Sequence, residues 1–235
     1  MNYEAILFDM DGVIVDTHQS VTALWQNLAQ RYQVHLAESD FSQHIYGCPA
    51  THTLDVLFPD LNADQRDSIM DMMVEYETHL TYTAVQGAVT FLRALKELSF
   101  PTALVTSGEH WKAHAVVTQL GIDGMFSTQI TAGDIHRGKP HPECYLLAAQ
   151  RLQKAPEQCI VFEDSISGTK AAVASGATCI GIGPLSAVPP LLKAGACGVV
   201  PDFSSITWRN CKGQGGTLLE LQIGAELRLA LSHSA

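Results

Sequence analysis

The chain has 235 residues, 46% hydrophobic and 16% charged, a balance that suits a globular protein with a sizeable core. Its 14 Lys and Arg against 24 Asp and Glu give a formal net charge of -10, which argues against non-specific binding to nucleic acid or anionic membranes. The same field repels an anionic substrate, so such a ligand needs a local site made by a metal ion or a few placed lysines.

In chain order, Met1-Asn2-Tyr3-Glu4 leads straight into an apolar run. There is no basic stretch followed by a long apolar one, and no uncharged apolar stretch of membrane-spanning length. The expectation is a soluble, cytoplasmic protein. Ala5-Ile6-Leu7-Phe8 reads as a strand buried on both faces of a parallel sheet, stopping at Asp9-Met10-Asp11-Gly12. From Thr17 to about Thr83 the pattern turns helical. Val21, Leu24, Trp25, Leu28, Ala29 and Tyr32 form one stripe behind Asp16-Thr17, which are placed to cap it or to orient a hinge between the domains. Ile69, Met72, Met73, Tyr76 and Leu80 form a second, read as a packing face rather than a ligand box. No strand-like run interrupts the segment, so it reads as a helical insert.

Gly87 opens a helix from Ala88 to Leu98. Apolar runs then recur at Ala103-Leu104-Val105, Ile160-Val161-Phe162, Cys179 to Ile182 and Gly198-Val199-Val200. Helical patterns lie between them, as at Tyr145, Leu146, Ala149 and Leu152. The alternation predicts a doubly wound α/β fold, Rossmann-like in its parallel sheet. After Asp202 the pattern weakens: Lys212 to Gly216 reads as a flexible turn and Leu218 to Leu231 as a final helix. The cysteines, Cys48, Cys144, Cys159, Cys179, Cys197 and Cys211, contain no CxxC pair and read as free thiols.

Ligands of open α/β sheets bind at the carboxyl ends of the strands. The apolar runs give way there to acids and hydroxyls: Asp9-Met10-Asp11-Gly12, then Thr106-Ser107-Gly108, then Glu163-Asp164-Ser165, with Gly138-Lys139-Pro140 from a loop. Carboxylates from two strands suit Mg²⁺, and a free aspartate beside that ion is a competent nucleophile toward phosphorus. A second aspartate two residues on can serve as general acid and base. Hydroxyls and a lysine can hold phosphoryl oxygens.

These stretches, in this order, resemble the four motifs of the haloacid dehalogenase-like hydrolases, beginning with Asp9-Met10-Asp11-Gly12-Val13-Ile14-Val15-Asp16. The helical insert resembles the cap of the subgroup that contains β-phosphoglucomutase and small sugar-phosphate phosphatases. The resemblance runs to about Asp202. The tail lies outside it, and the chain as a whole reads as a core of residues 1–16 and 84–235 with a cap of 17–83. The resemblance implies Asp9 as nucleophile, Asp11 as general acid/base, and Mg²⁺ held by Asp9, the main-chain carbonyl of Asp11, and Asp164, with Glu163 helping directly or through water. Thr106, Ser107 and Lys139 would bind the phosphoryl group. Asp11 favours phosphoryl transfer, because dehalogenase members lack the second aspartate.

Gly47-Cys48-Pro49-Ala50 resembles the cap loop that dips toward the active site, so Gly47 is a candidate substrate contact; a linker between two helices is the equal alternative. Glu163-Asp164 can also be read as a helix N-cap pair, and His110 and His114 as an exposed helix face. His136 and His141 flank Lys139, where either is a candidate substrate contact, although loop histidines are more often solvated. The implied partner is a small phosphorylated metabolite, with no nucleic acid, no membrane and a monomeric chain. Hydrolysis of sugar or polyol phosphates is the expected activity. The rivals are a β-phosphoglucomutase-like isomerase and a non-catalytic phosphate-binding module. Mutases of this family place a histidine where this chain has Val21, and an arginine where it has Ala50; His18 is the one candidate replacement for the histidine.

Overall fold

The computed structural model describes residues 2–213, 216–224 and 227–233. Ten strands and nine α-helices occur among them. A two-residue strand, β1 (Asn2–Tyr3), precedes β2 (Ala5–Phe8). The chain then leaves the sheet for α1 (His18–Arg31), α2 (Glu38–Asp40) running into a π turn at Phe41–Ile45, α3 (Ala50–Leu57) and α4 (Ala63–Thr78). It returns through α5 (Ala88–Glu97), β3 (Thr102–Val105), α6 (His110–Gln119), β4 (Thr128–Ile130), α7 (Glu143–Arg151) and β5 (Cys159–Glu163). Next come α8 (Ile166–Ser175), β6 (Thr178–Ile182), α9 (Val188–Ala194) and β7 (Gly198–Val200). The chain ends in β8 (Ile206–Gly213), β9 (Gly216–Ile223) and β10 (Leu227–His233).

Six strands form one all-parallel sheet in the order β4-β3-β2-β5-β6-β7. The first apolar run is therefore central, with Phe8 in register with Leu104 on one side and Phe162 on the other. Side chains alternate across a strand. Ile6 and Phe8 accordingly pack with Phe91, Leu95 and Phe203, while Ala5 and Leu7 pack with Tyr145, Ala148 and Ala172. Both faces of these strands are covered, which is why they read as unbroken apolar runs.

The segment 18–78 contains no strand among the described residues and has its own apolar cluster of Leu24, Trp25, Leu28, Ile45, Leu54, Phe58 and Ile69. The linkers that join it to the sheet run side by side: Asp16 N–H donates to the Thr83 carbonyl at 2.8 Å, and Val85 N–H to that of Ile14 at 3.0 Å.

Several readings need correcting. Leu218 to Leu231 is not a helix but strands β9 and β10, antiparallel to each other, with β1 parallel to β10. Thr17 holds the N-cap position of α1 without a side-chain hydrogen bond. The cap of α8 is Ser165, which accepts from Gly168 N–H at 3.0 Å, rather than Glu163-Asp164. Leu80 lies past the end of α4 and packs against the sheet's cluster, and Leu146 is exposed. Of the turn read at Lys212 to Gly216, Gln214 and Gly215 lie outside the described residues. Cys48, Cys144, Cys159, Cys179 and Cys197 are free thiols, and among the described residues no helix is long and apolar enough to cross a membrane.

Candidate active site

The carboxyl ends of β2, β3 and β5 meet at one edge, because the three strands are adjacent and parallel. Asp9 is the first residue past β2, Thr106 the first past β3, and Glu163 the last of β5. Lys139 reaches them from the loop before α7. Its Nζ lies 2.5 Å from Asp9 Oδ1 and 2.6 Å from Glu163 Oε1, with all three side chains almost wholly buried. Burial by itself would lower the lysine's pKa. The two carboxylates more than offset it and hold the pKa well above the usual range, so the amine stays charged.

Glu163 is engaged on both oxygens. Oε1 accepts from Lys139 and, at 2.7 Å, from the Tyr145 hydroxyl. Oε2 accepts from the N–H groups of Asp164 and Ser165 and from the Ser165 hydroxyl. Asp164 stands one residue on, with its Oδ2 2.9 Å from His18 Nε2 at the start of α1. That hydrogen bond raises the pKa of His18.

Two glycines let these parts approach. Gly12 sits at φ +75°, and a Cβ there would fall 2.0 Å from Asp164 Oδ2. Gly47, at φ +70°, lies so close to the sheet edge that a Cβ would meet Ser165 Oγ at 2.2 Å. Its carbonyl accepts from the Ser107 hydroxyl at 3.1 Å. The Gly47 loop therefore lies directly on the strand ends.

A cavity of about 390 Å³ opens above this edge. Asp9, Asp11, Thr106, Ser107, Gly47 and Asp164 line it, and Trp25, Met70, Met73, Val74 and Trp111 add apolar surface. Of the second stripe, Met73 faces the cavity while Ile69 is buried in the helical segment's own cluster. No arginine is among the described lining residues. Lys139 and Glu163 are buried beneath the cavity, Lys139 against Asp9 and Glu163 against the Asp164 main chain. His136 lines the cavity, while His141 Nδ1 accepts from Glu143 N–H at 3.2 Å. His110 and His114 are exposed on α6.

Sequence reasoning missed three contributors. Tyr145 was legible only as core, yet its hydroxyl fixes Glu163. Lys112 and Glu77 also escaped notice, although a lysine beside Ala113, Val116 and Val117 on one helical stripe was a usable signal. Lys112 Nζ lies 3.0 Å from Asp11 Oδ1 and 3.0 Å from Glu77 Oε1.

Asp9, Glu163 and Asp164 each offer a carboxylate oxygen, and these atoms lie within 4.8 Å of one another. An all-oxygen anionic donor set suits a hard dication such as Mg²⁺ and not a soft transition metal.

Comparison with known proteins identifies the family. The family model for haloacid dehalogenase-like hydrolases matches residues 3–176. The chain is 32% identical to hexitol phosphatase A of Escherichia coli over 81% of its own length and 88% of that protein's. It is 30% identical to a phosphorylated carbohydrates phosphatase of Thermotoga maritima, over 84% and 94%. Among solved structures, a haloacid dehalogenase family hydrolase of Deinococcus radiodurans, crystallised with bound phosphate and sodium, matches at a TM-score of 0.63 and 30% identity, covering 86% of this chain and 92% of that one. The chain is an enzyme of the haloacid dehalogenase-like hydrolase family.

Proposed function

We propose that the protein is a Mg²⁺-dependent phosphatase that hydrolyses small sugar or polyol phosphates through a phosphoaspartate on Asp9. The observation that carries this reading is the convergence of Asp9, Lys139, Glu163 and Asp164 beneath a cavity also lined by Asp11, Thr106 and Ser107. In the first step a carboxylate oxygen of Asp9 attacks phosphorus and the ester P–O bond breaks. Asp11 gives its proton to the departing alkoxide. In the second step Asp11 takes a proton from a water molecule, which attacks the phosphoaspartate; the Asp9–phosphorus bond breaks and inorganic phosphate leaves. Thr106 donates a hydrogen bond to a phosphoryl oxygen, and the Ser107 hydroxyl, which here donates to the Gly47 carbonyl, turns to the phosphoryl group when the Gly47 loop lifts. The Lys139 ammonium offsets charge that gathers beside Asp9.

Asp9, Asp164 and the main-chain carbonyl of Asp11 would hold Mg²⁺, with Glu163 acting chiefly as the fixed acceptor that orients Lys139 and the Asp164 turn, since both its oxygens are engaged. The ion would supply a positive charge that offsets repulsion between the phosphate and these carboxylates.

Residues 1–16 and 84–235 act in this reading as the catalytic core, and 17–83 as a cap whose movement admits substrate and excludes water. A small phosphorylated metabolite fits the cavity's mixed wall: hydroxyls and acids at the floor, Trp111 and two methionines above. The relatives' names, hexitol phosphatase and phosphorylated carbohydrates phosphatase, point to the same chemical class. An isomerase needs a partner for a second phosphate, and the described lining offers no arginine, while Lys112 is already shared by two carboxylates. Screening phosphate release from a panel of sugar and polyol phosphates, with Mg²⁺ and with chelator, tests the proposal. A coupled assay for glucose 6-phosphate formed from β-glucose 1-phosphate, primed with the 1,6-bisphosphate, runs beside it. Mg²⁺-dependent release from at least one ester is expected; isomerisation outpacing release, or no release from any, would overturn the reading.

A further inference from the structure

Lys112 lies on the face of α6 that also carries Ala113, Val116 and Val117, all buried. A buried amine costs free energy unless it is paired and hydrogen-bonded. Here three elements meet at one nitrogen: α6 supplies Lys112, the last turn of α4 supplies Glu77, and the loop after β2 supplies Asp11. Burial opposes the ammonium, but the two carboxylates win and raise its pKa.

The anchor is itself fixed. Gln119, at the other end of α6, donates to the Leu80 carbonyl at 3.3 Å and accepts from Tyr82 N–H at 3.1 Å. One helix therefore grips both the end of α4 and the linker beyond it. Asp11, by contrast, stands in a loop with its side chain 28% exposed.

We propose that Lys112, braced by Glu77, is a positioning residue that aims the carboxyl group of Asp11 at the leaving oxygen of the substrate. The inference rests on the reading of Asp11 as general acid/base. Proton delivery requires the acid within hydrogen-bond reach of the oxygen it protonates. Without the amine the Asp11 side chain loses its tether and samples other rotamers.

The consequence is selective. An alkoxide leaves poorly unless it is protonated, whereas p-nitrophenolate leaves well without help. The ratio kcat/KM reports steps up to departure of the alcohol, so it isolates this effect from hydrolysis of the phosphoaspartate. A lysine that merely held the fold together would affect both esters alike.

The experiment measures kcat/KM at saturating Mg²⁺ for p-nitrophenyl phosphate and for the best sugar or polyol phosphate of the panel. K112M is expected to lose about 100-fold on the alkyl ester and less than about threefold on the aryl ester, within the range general acid catalysis contributes. K112R, which keeps the cation, recovers most of the alkyl-ester rate. E77Q keeps an acceptor for the amine but removes the negative charge that braces it, and shows a smaller loss with the same selectivity, so it carries the comparison if K112M does not fold. Equal losses on both esters in K112M and E77Q would overturn the positioning role alone. A wild-type protein that released phosphate from neither ester would overturn the phosphatase reading and this inference with it.

Discussion

Glu163 shows how one side chain organises the site. It is fully buried, and its two oxygens take hydrogen bonds from Lys139, Tyr145, Ser165 and two main-chain N–H groups. Removing one member of a buried charge pair leaves the other short of compensation, at a cost of about 3–5 kcal/mol. Glu163→Ala is therefore expected to lower unfolding free energy by that amount in urea titrations, and a loss under about 1 kcal/mol would contradict the network. The acids of this site were legible in sequence because each stands at or just beyond the end of an apolar strand run. Lys112 shows in sequence only as a charge on an apolar helical stripe, and its pairing with Glu77 does not show, since that contact joins residues 35 apart. Tyr145 was hidden for another reason: a buried aromatic ring fits a core stripe whether or not its hydroxyl has a task.

Among the elements, the carboxyl-terminal strands were the least legible, and they contribute to the main core. Leu221, Ile223, Leu229 and Leu231 are buried in the same cluster as Phe8 and Phe91, and the Trp208 ring lies 5.4 Å from that of Phe91. The period-2 alternation of Leu219, Leu221 and Ile223, then Leu227, Leu229 and Leu231, was present in the sequence. Leu218 beside Leu219, and the spacing of four between Leu227 and Leu231, imitate a helical stripe and mask the strand period. Strand β4 went unnoticed because it is three residues long and only Ile130 among them is fully buried. The central strands could be read because a parallel sheet covered on both faces leaves an uninterrupted apolar run. Leu231→Ala should cost about 2–5 kcal/mol by chemical denaturation, as expected for truncating a fully buried leucine. A value near zero would show that β10 does not contribute to the core.

At the scale of the whole molecule, the α/β architecture follows from the alternation of runs and helices, and the helical segment from the lack of any strand-like run between residues 18 and 78. The proposed metal site couples to global stability. Mg²⁺ that binds the native state alone stabilises it by mass action, about 2.7 kcal/mol at 100 times its Kd. Thermal scans should therefore shift upward with Mg²⁺ in the wild type and much less in Asp164→Ala, which loses a ligand. Superimposable wild-type scans would contradict the site. Most directly, the account rests on Asp9 as the nucleophile. The decisive measurement is phosphate release by purified Asp9→Asn beside wild type, at saturating Mg²⁺, on the best ester of the panel, with circular dichroism and thermal unfolding to show that the variant is folded. An amide does not attack phosphorus, so the account predicts a loss of at least about 1,000-fold with the fold retained; a folded variant that kept more than about a tenth of the wild-type rate would contradict it.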